Sequence, residues 1–214
     1  MNFRLLAVAA GAASLCAGAA LAAEPVATSP GFYGQLSLGS GIGGRTKLSS
    51  PGDSLHEGLN AGLFASAAVG RSLEGGVAFE TEILYLHNDI DTGDLDRLTG
   101  VNLGASVRTT GLLVNAHYAV APVGPFTASV GAGAGYGEAK YKLLGGSESK
   151  GGFMWQAMAG LSYPVSDKLS WDLQYRYVRS PRFHESVDAG TLGVIPFKVE
   201  TGTHVLAVGA RMKF

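Results

Sequence analysis

From residue 32 onward, apolar and polar residues alternate at period two over segments of roughly ten residues, and helical spacing is hard to find. Eight segments carry the alternation: Phe32 to Ile42, Gly58 to Gly70, Val77 to Leu86, Val101 to Val120, Phe126 to Tyr141, Phe153 to Tyr163, Leu169 to Val178, and Gly202 to Phe214. In the first, Gly34, Leu36 and Leu38 oppose Gln35, Ser37 and Gly39; in the second, Leu59, Ala61, Leu63, Ala65, Ala67 and Val69 oppose Asn60, Gly62, Ser66 and Gly70. In the seventh, Trp171, Leu173, Tyr175 and Tyr177 oppose Asp172, Gln174 and Arg176; in the last, Leu206, Val208, Ala210, Met212 and Phe214 oppose Arg211 and Lys213. After the N-terminal segment no run of about 18 apolar residues occurs, so the pattern predicts strands and no transmembrane helix.

A soluble sandwich also alternates, but three features favour a membrane barrel. The apolar rows are thin and alanine-rich, which suits lipid better than a close-packed core. Connections alternate short and long: 71–76, 121–125 and 164–168 against 43–57, 87–100, 142–152 and 179–201. That rhythm fits short periplasmic turns and long external loops. The third feature is two aromatic levels, with Tyr33, Tyr118, Phe126, Tyr163, Trp171 and Phe214 near the periplasm and Tyr85, Tyr136, Trp155 and Tyr177 near the outer surface. Arg108 falls on the lipid-facing register. Ten residues above Tyr118, it would stand roughly 23 Å higher, at the top of the apolar band. There it either meets lipopolysaccharide phosphates or belongs to a strand extension above the membrane. The expected architecture is an all-β, eight-stranded, antiparallel up-and-down transmembrane β-barrel.

Composition adds a compartment. Residues 1–22 read as a secretory signal peptide, with Arg4 as the basic region, an uncharged run from Leu5 to Ala19, and Ala20-Leu21-Ala22 before the cut. Residues 23–31 are a short linker and 32–214 the barrel domain. The one cysteine, Cys16, lies inside the signal and follows Leu15, where a lipoprotein signal would place a small residue. The mature chain therefore has no disulfide. Glycine stands at 32 of 214 residues and charged residues at 15%, against usual shares of roughly 7% and 25%. With a net charge of −1 and no basic run, nucleic acid is not an expected partner.

The second half resembles the opacity/OmpA-like group of eight-stranded outer-membrane barrels. The likeness is carried by Leu112-Leu113-Val114-Asn115-Ala116-His117-Tyr118, by the run from Pro125 to Gly133, by Ala159-Gly160-Leu161-Ser162-Tyr163-Pro164, and by Leu173-Gln174-Tyr175-Arg176-Tyr177. The ending, His204 through Phe214, is similar to the terminal strand that the barrel-assembly machinery recognises. The resemblance implies a Gram-negative outer membrane. It leaves activity open, because the group includes adhesins, resistance factors and small pores.

The candidate chemistry is inside the barrel. Glu80, Glu82, Asn115, Gln156, Asp172, Gln174, Arg176 and Arg211 share the inward register and are expected to form a hydrogen-bonded, ion-paired plug. The same groups could instead line a narrow pore, in volume left by the lumenal glycines. His56, His87, His117, His184 and His204 offer no pair with ligand spacing on one element, and no metal or cofactor is expected. Asp89, Asp91, Asp94 and Asp96 read as a solvated loop tip. His184-Glu185-Ser186 has the spacing of a lipid A-deacylating pair but sits in a loop flanked by Pro181 and Pro196, so no enzyme is expected. The reading is a structural or surface-interaction protein (adhesion, resistance or envelope integrity) that presents four external loops. Its expected partners are outer-membrane lipid and lipopolysaccharide, the assembly machinery, and an extracellular or host ligand. A small diffusion pore and a lipid A-modifying enzyme are the alternatives.

Overall fold

A strand with one apolar and one polar face leaves its backbone groups unpaired, and in lipid only closure on itself satisfies them all. The computed structural model describes residues 30–50, 53–91, 104–143, 146–188 and 194–214. Its strands are β1 (Gly31–Ser50), β2 (Asp53–Gly58), β3 (Gly62–Ser72), β4 (Val77–Asp89), β5 (Ser106–Val123), β6 (Phe126–Leu143), β7 (Gly146–Pro164), β8 (Leu169–Arg179), β9 (Phe183–Asp188) and β10 (Val194–Lys213). Their order is β2-β1-β3-β4-β5-β6-β7-β8-β10-β9, and β1 also pairs with β10. That last ladder runs from Tyr33↔Lys213 to Ser49↔Lys198 and closes an eight-stranded antiparallel ring. Strands β2 and β9 lie outside the ring, each paired to one long strand. Among the described residues no helix is long and apolar enough to cross a membrane.

The start of β1, the end of β10 and the short connections lie at one end of the ring. The β3–β4 turn is held by the Leu73 amide donating to the Val77 carbonyl at 2.8 Å. Gly75 and Gly76 there have φ of 74° and 80°, a region that side chains rarely enter. Gly124, at φ 60°, makes the tight β5–β6 turn with Pro125.

At the other end the strands run further than the sequence pattern suggests. Three of the four expected long loops are largely hairpin: β1 continues into β2, β6 into β7, and β9 into β10. Alternation fades there because neither face meets lipid, yet the backbone ladder continues. The fourth, across 92–103, lies outside the described residues, as do the signal segment and Val101. The second sequence segment also begins too early. Leu59 is buried rather than lipid-facing, and the strand breaks at 59–61, where Leu59 bridges Ile90 and Asn88 Nδ2 donates to the Asn60 carbonyl at 3.0 Å.

The outward faces form an apolar band. On β6 it runs from Phe126 to Tyr136, ten residues, or about 23 Å of height on a tilted strand, close to the roughly 25 Å such bands measure. Leu36, Leu38, Val69, Ile83, Leu112, Val114, Val208 and Met212 are all exposed on it.

Candidate functional site

The alternation that exposes the band turns the other set of side chains into the ring, where charge must be neutralised locally. Glu82 and Arg176 are fully buried and face each other at 2.5 Å. Glu82 also accepts from Asn115 Nδ2 at 2.8 Å and from Gln156 Nε2. Arg176 donates through Nη2 to Gln174 Oε1 at 2.7 Å and through Nη1 to Gln156 Oε1 at 3.2 Å. Glu80 accepts from Asn115 Nδ2 and from the Tyr33 hydroxyl, each at 2.9 Å. His117 Nε2 stands 3.0 Å from Glu80, off the line of a good hydrogen bond.

Nearer the periplasm, Arg211 donates to Gln35 Oε1 at 3.0 and 3.1 Å and stands 3.2 Å from Asp172. The structure thus brings the eight predicted lumenal residues together as two clusters. Glu80, Glu82, Asn115, Gln156, Gln174 and Arg176 form one, and Asp172 and Arg211 form the other. Two further members join them: Gln35, on the polar face in the sequence but not named to the plug, and Tyr33, which the sequence reading placed at the interface.

Tyr33 is a correction. Read as an interface aromatic, it is only 1% exposed and sits inside the barrel, with Arg211 stacked on its ring at 4.7 Å. Its neighbour Phe32, 56% exposed, takes the outward place. The phase was available in the sequence: Tyr33 keeps step with Gln35 and Ser37, Phe32 with Leu36 and Leu38. The other assigned aromatics lie on the outer wall. Phe126, Tyr136, Tyr163, Trp171 and Phe214 are exposed, and Tyr85, Tyr118, Trp155 and Tyr177 are half-buried. Rings meet between Phe126 and Tyr163 at 5.5 Å and between Trp155 and Tyr177 at 5.6 Å. Phe79 and Phe153 also belong to this wall.

Above the polar layer lies one the sequence reading missed. Phe64, Leu84, Leu86, Leu113, Met154, Val178, Val205 and Ala207 form a buried apolar cluster across the lumen. It is built strand by strand, two residues above the network: Leu84 follows Glu82, Leu113 precedes Asn115, Met154 precedes Gln156, and Val178 follows Arg176. Phe64 joins the two layers, with the Arg176 guanidinium over its ring at 5.1 Å. A hydroxyl layer follows, in which Thr109 and Ser180 lie 2.8 Å apart and Tyr141 and Thr201 2.8 Å apart.

The lumenal glycines do not leave open volume. A Cβ at Gly133 would overlap the Asn115 carboxamide, and one at Gly111 or Gly137 the Met154 sulfur. One at Gly70 would overlap the Tyr33 ring, and one at Gly131 the His117 ring. The glycines are the floor under these long side chains. Below them a periplasmic vestibule of about 240 Å³ opens, lined at its upper end by His117 and Arg211, and a small pocket remains beside Gly131, Gly160 and Gln174.

The remaining candidates are scattered. His87 stands 3.7 Å from Asp89 on the outer wall, and His204 Nδ1 shares a 2.6 Å hydrogen bond with Tyr175. Among the described residues no group of three or more His, Cys, Asp or Glu could hold a metal. The backbone of His184 to Ser186 belongs to β9 rather than to a loop, paired with Lys198 and Pro196. Asp94 and Asp96 and the side chains of His56, His184 and Ser186 lie outside the described residues.

An eight-stranded antiparallel ring, apolar outside and packed with side chains inside, with its short turns, the start of β1 and the end of β10 at one end, is a small outer-membrane β-barrel. The chain belongs to the outer membrane protein beta-barrel domain family, whose model matches residues 7–213, and it is a protein of the Gram-negative outer membrane. The resemblance seen in the second half thus extends along the chain. Among solved structures, neisserial surface protein A is similar over 87% of this chain and 100% of that one, at 20% identity and a TM-score of 0.50. OprG from Pseudomonas aeruginosa is similar over 90% and 100%, at 11% identity and 0.52. AlkL, solved in lipid bilayers, is similar over 86% and 90%, at 14% identity and 0.51. At these identities the likeness is one of fold. None of the curated protein sequences matches the chain.

Proposed function

We propose that this barrel is a non-conducting surface protein whose role is exercised by its outer hairpins. The observation that carries the reading is the double closure of the lumen, by the Glu82–Arg176 network and by the apolar layer around Phe64 and Met154. A charged solute would have to break buried ion pairs and then cross a dry constriction. The outer side, by contrast, is extended. There the order β2-β1-β10-β9 makes a four-stranded sheet standing beyond the closure seam. Such a sheet offers a ligand-facing surface on a rigid base. Adhesion, resistance and envelope integrity are all within reach of it, and an extracellular ligand is the partner class it favours. Export by a signal peptide over residues 1–22, and recognition of the Phe214-terminated strand by the barrel-assembly machinery, belong to the same reading. Liposome swelling tests it. Vesicles carrying the pure protein should swell no faster than empty ones in the smallest sugars, and faster swelling would sink the proposal.

A further inference from the structure

Going up each strand, the outer wall changes from apolar to polar at one level: after Ile83 and Tyr85 on β4, after Leu112 on β5, and after Tyr136 on β6. The row above Leu112 is Tyr85, Thr110 and Glu138, and above it three adjacent strands carry His87, Arg108 and Lys140. The register places them directly opposite one another, His87↔Arg108 and Arg108↔Lys140. Lys142, exposed, stands two residues above Lys140 on the same face.

Directly opposed residues sit roughly 5 Å apart at Cβ, and like charges in that position destabilise a sheet. Two acids stand nearby on the same face without pairing with Arg108 or Lys140. Asp89 lies against His87, and Glu138 faces Thr110 and Gly151 one step down. Among the described residues no carboxylate is ion-paired with Arg108, Lys140 or Lys142. Arg108 holds its guanidinium 5.9 Å from the centre of the Tyr85 ring, a weak contact. On the opposite side of the rim Glu200 pairs with both Arg179 and Arg182.

We infer that Arg108, Lys140 and Lys142 form a binding site for the phosphate of an outer-leaflet glycolipid. The charges stand on the lipid-facing wall, at the height where headgroups begin. Beneath them Ile83, Leu112, Tyr136 and Phe153 are exposed in one cross-strand row that would take the acyl chains. A phosphate bridging Arg108 and Lys140 turns their repulsion into two charge-assisted hydrogen bonds. A soluble anion would gain the charges but not the apolar row, which is why the site is assigned to a lipid. The inference rests on membrane placement and is independent of whether the lumen conducts.

The test uses the full barrel in phosphatidylcholine nanodiscs doped with lipid A, either intact or enzymatically dephosphorylated, with retained lipid counted by native mass spectrometry. Intact lipid A should be retained on the order of tenfold better by wild type than by Arg108→Gln/Lys140→Gln. Arg45→Gln, an exposed cation on β1, should leave retention unchanged. If the double variant fails to fold, amide shifts of Arg108 and Lys140 in the wild type report the same contact. Equal retention of dephosphorylated lipid, equal retention by the double variant, no shift at these amides, or displacement by millimolar inorganic phosphate would each overturn the assignment.

Discussion

The two halves of the lumen close it by opposite means. The periplasmic half holds charges and carboxamides tied to one another, mostly across strands. The outer half holds aliphatic and aromatic side chains that need no partner, only volume. A polar layer is sensitive to the loss of any one member, because the group left behind stays buried and unanswered. An apolar layer loses in proportion to the space opened. Stacking one on the other gives a plug in which water that penetrates one layer is stopped by the next.

The sharpest way to break the polar half is Arg176→Ala, which strands the Glu82 carboxylate inside the ring. It should cost about 3–5 kcal/mol in urea unfolding of the refolded barrel, and changing Arg176→Met together with Glu82→Leu should restore most of it. In the apolar half, Met154→Ala should cost about 3 kcal/mol in the same assay. Gly111 and Gly137 beneath it have no side chain with which to fill the hole. Asn115→Ala removes the donor shared by Glu80 and Glu82 but leaves both with other partners, for a loss of about 1–2 kcal/mol. Gln35→Ala, behind the Arg211 that lines the vestibule, should cost about 1 kcal/mol, since Arg211 keeps Asp172. A polar half that tolerated Arg176→Ala as well as Gln35→Ala would remove the distinction between the two regions.

The contrast also explains what could be read from the sequence. The ring was legible because lipid enforces a strict period, and the polar plug because charge on an otherwise apolar strand has one place to go. Leu84, Leu113 and Met154 were hidden because apolar residues beside apolar residues do not announce which face they take. Only the phase set by Glu82, Asn115 and Gln156 assigns them inward. Tyr33 was misplaced for a related reason: an aromatic near a strand end suits the interface by type, while its phase put it against Glu80. The glycines misled in the other direction, since a missing side chain reads as space until the residue that fills it is known. The outer strand extensions left little signal beyond Arg108 on β5, because above the membrane neither face is constrained by lipid.

Closure of the lumen is the central claim, and single-channel recording in planar bilayers addresses it most directly. Pure wild-type protein, confirmed as folded and inserted, should give a flat baseline at every applied voltage. Discrete, reproducible conductance steps from that same material would contradict the account.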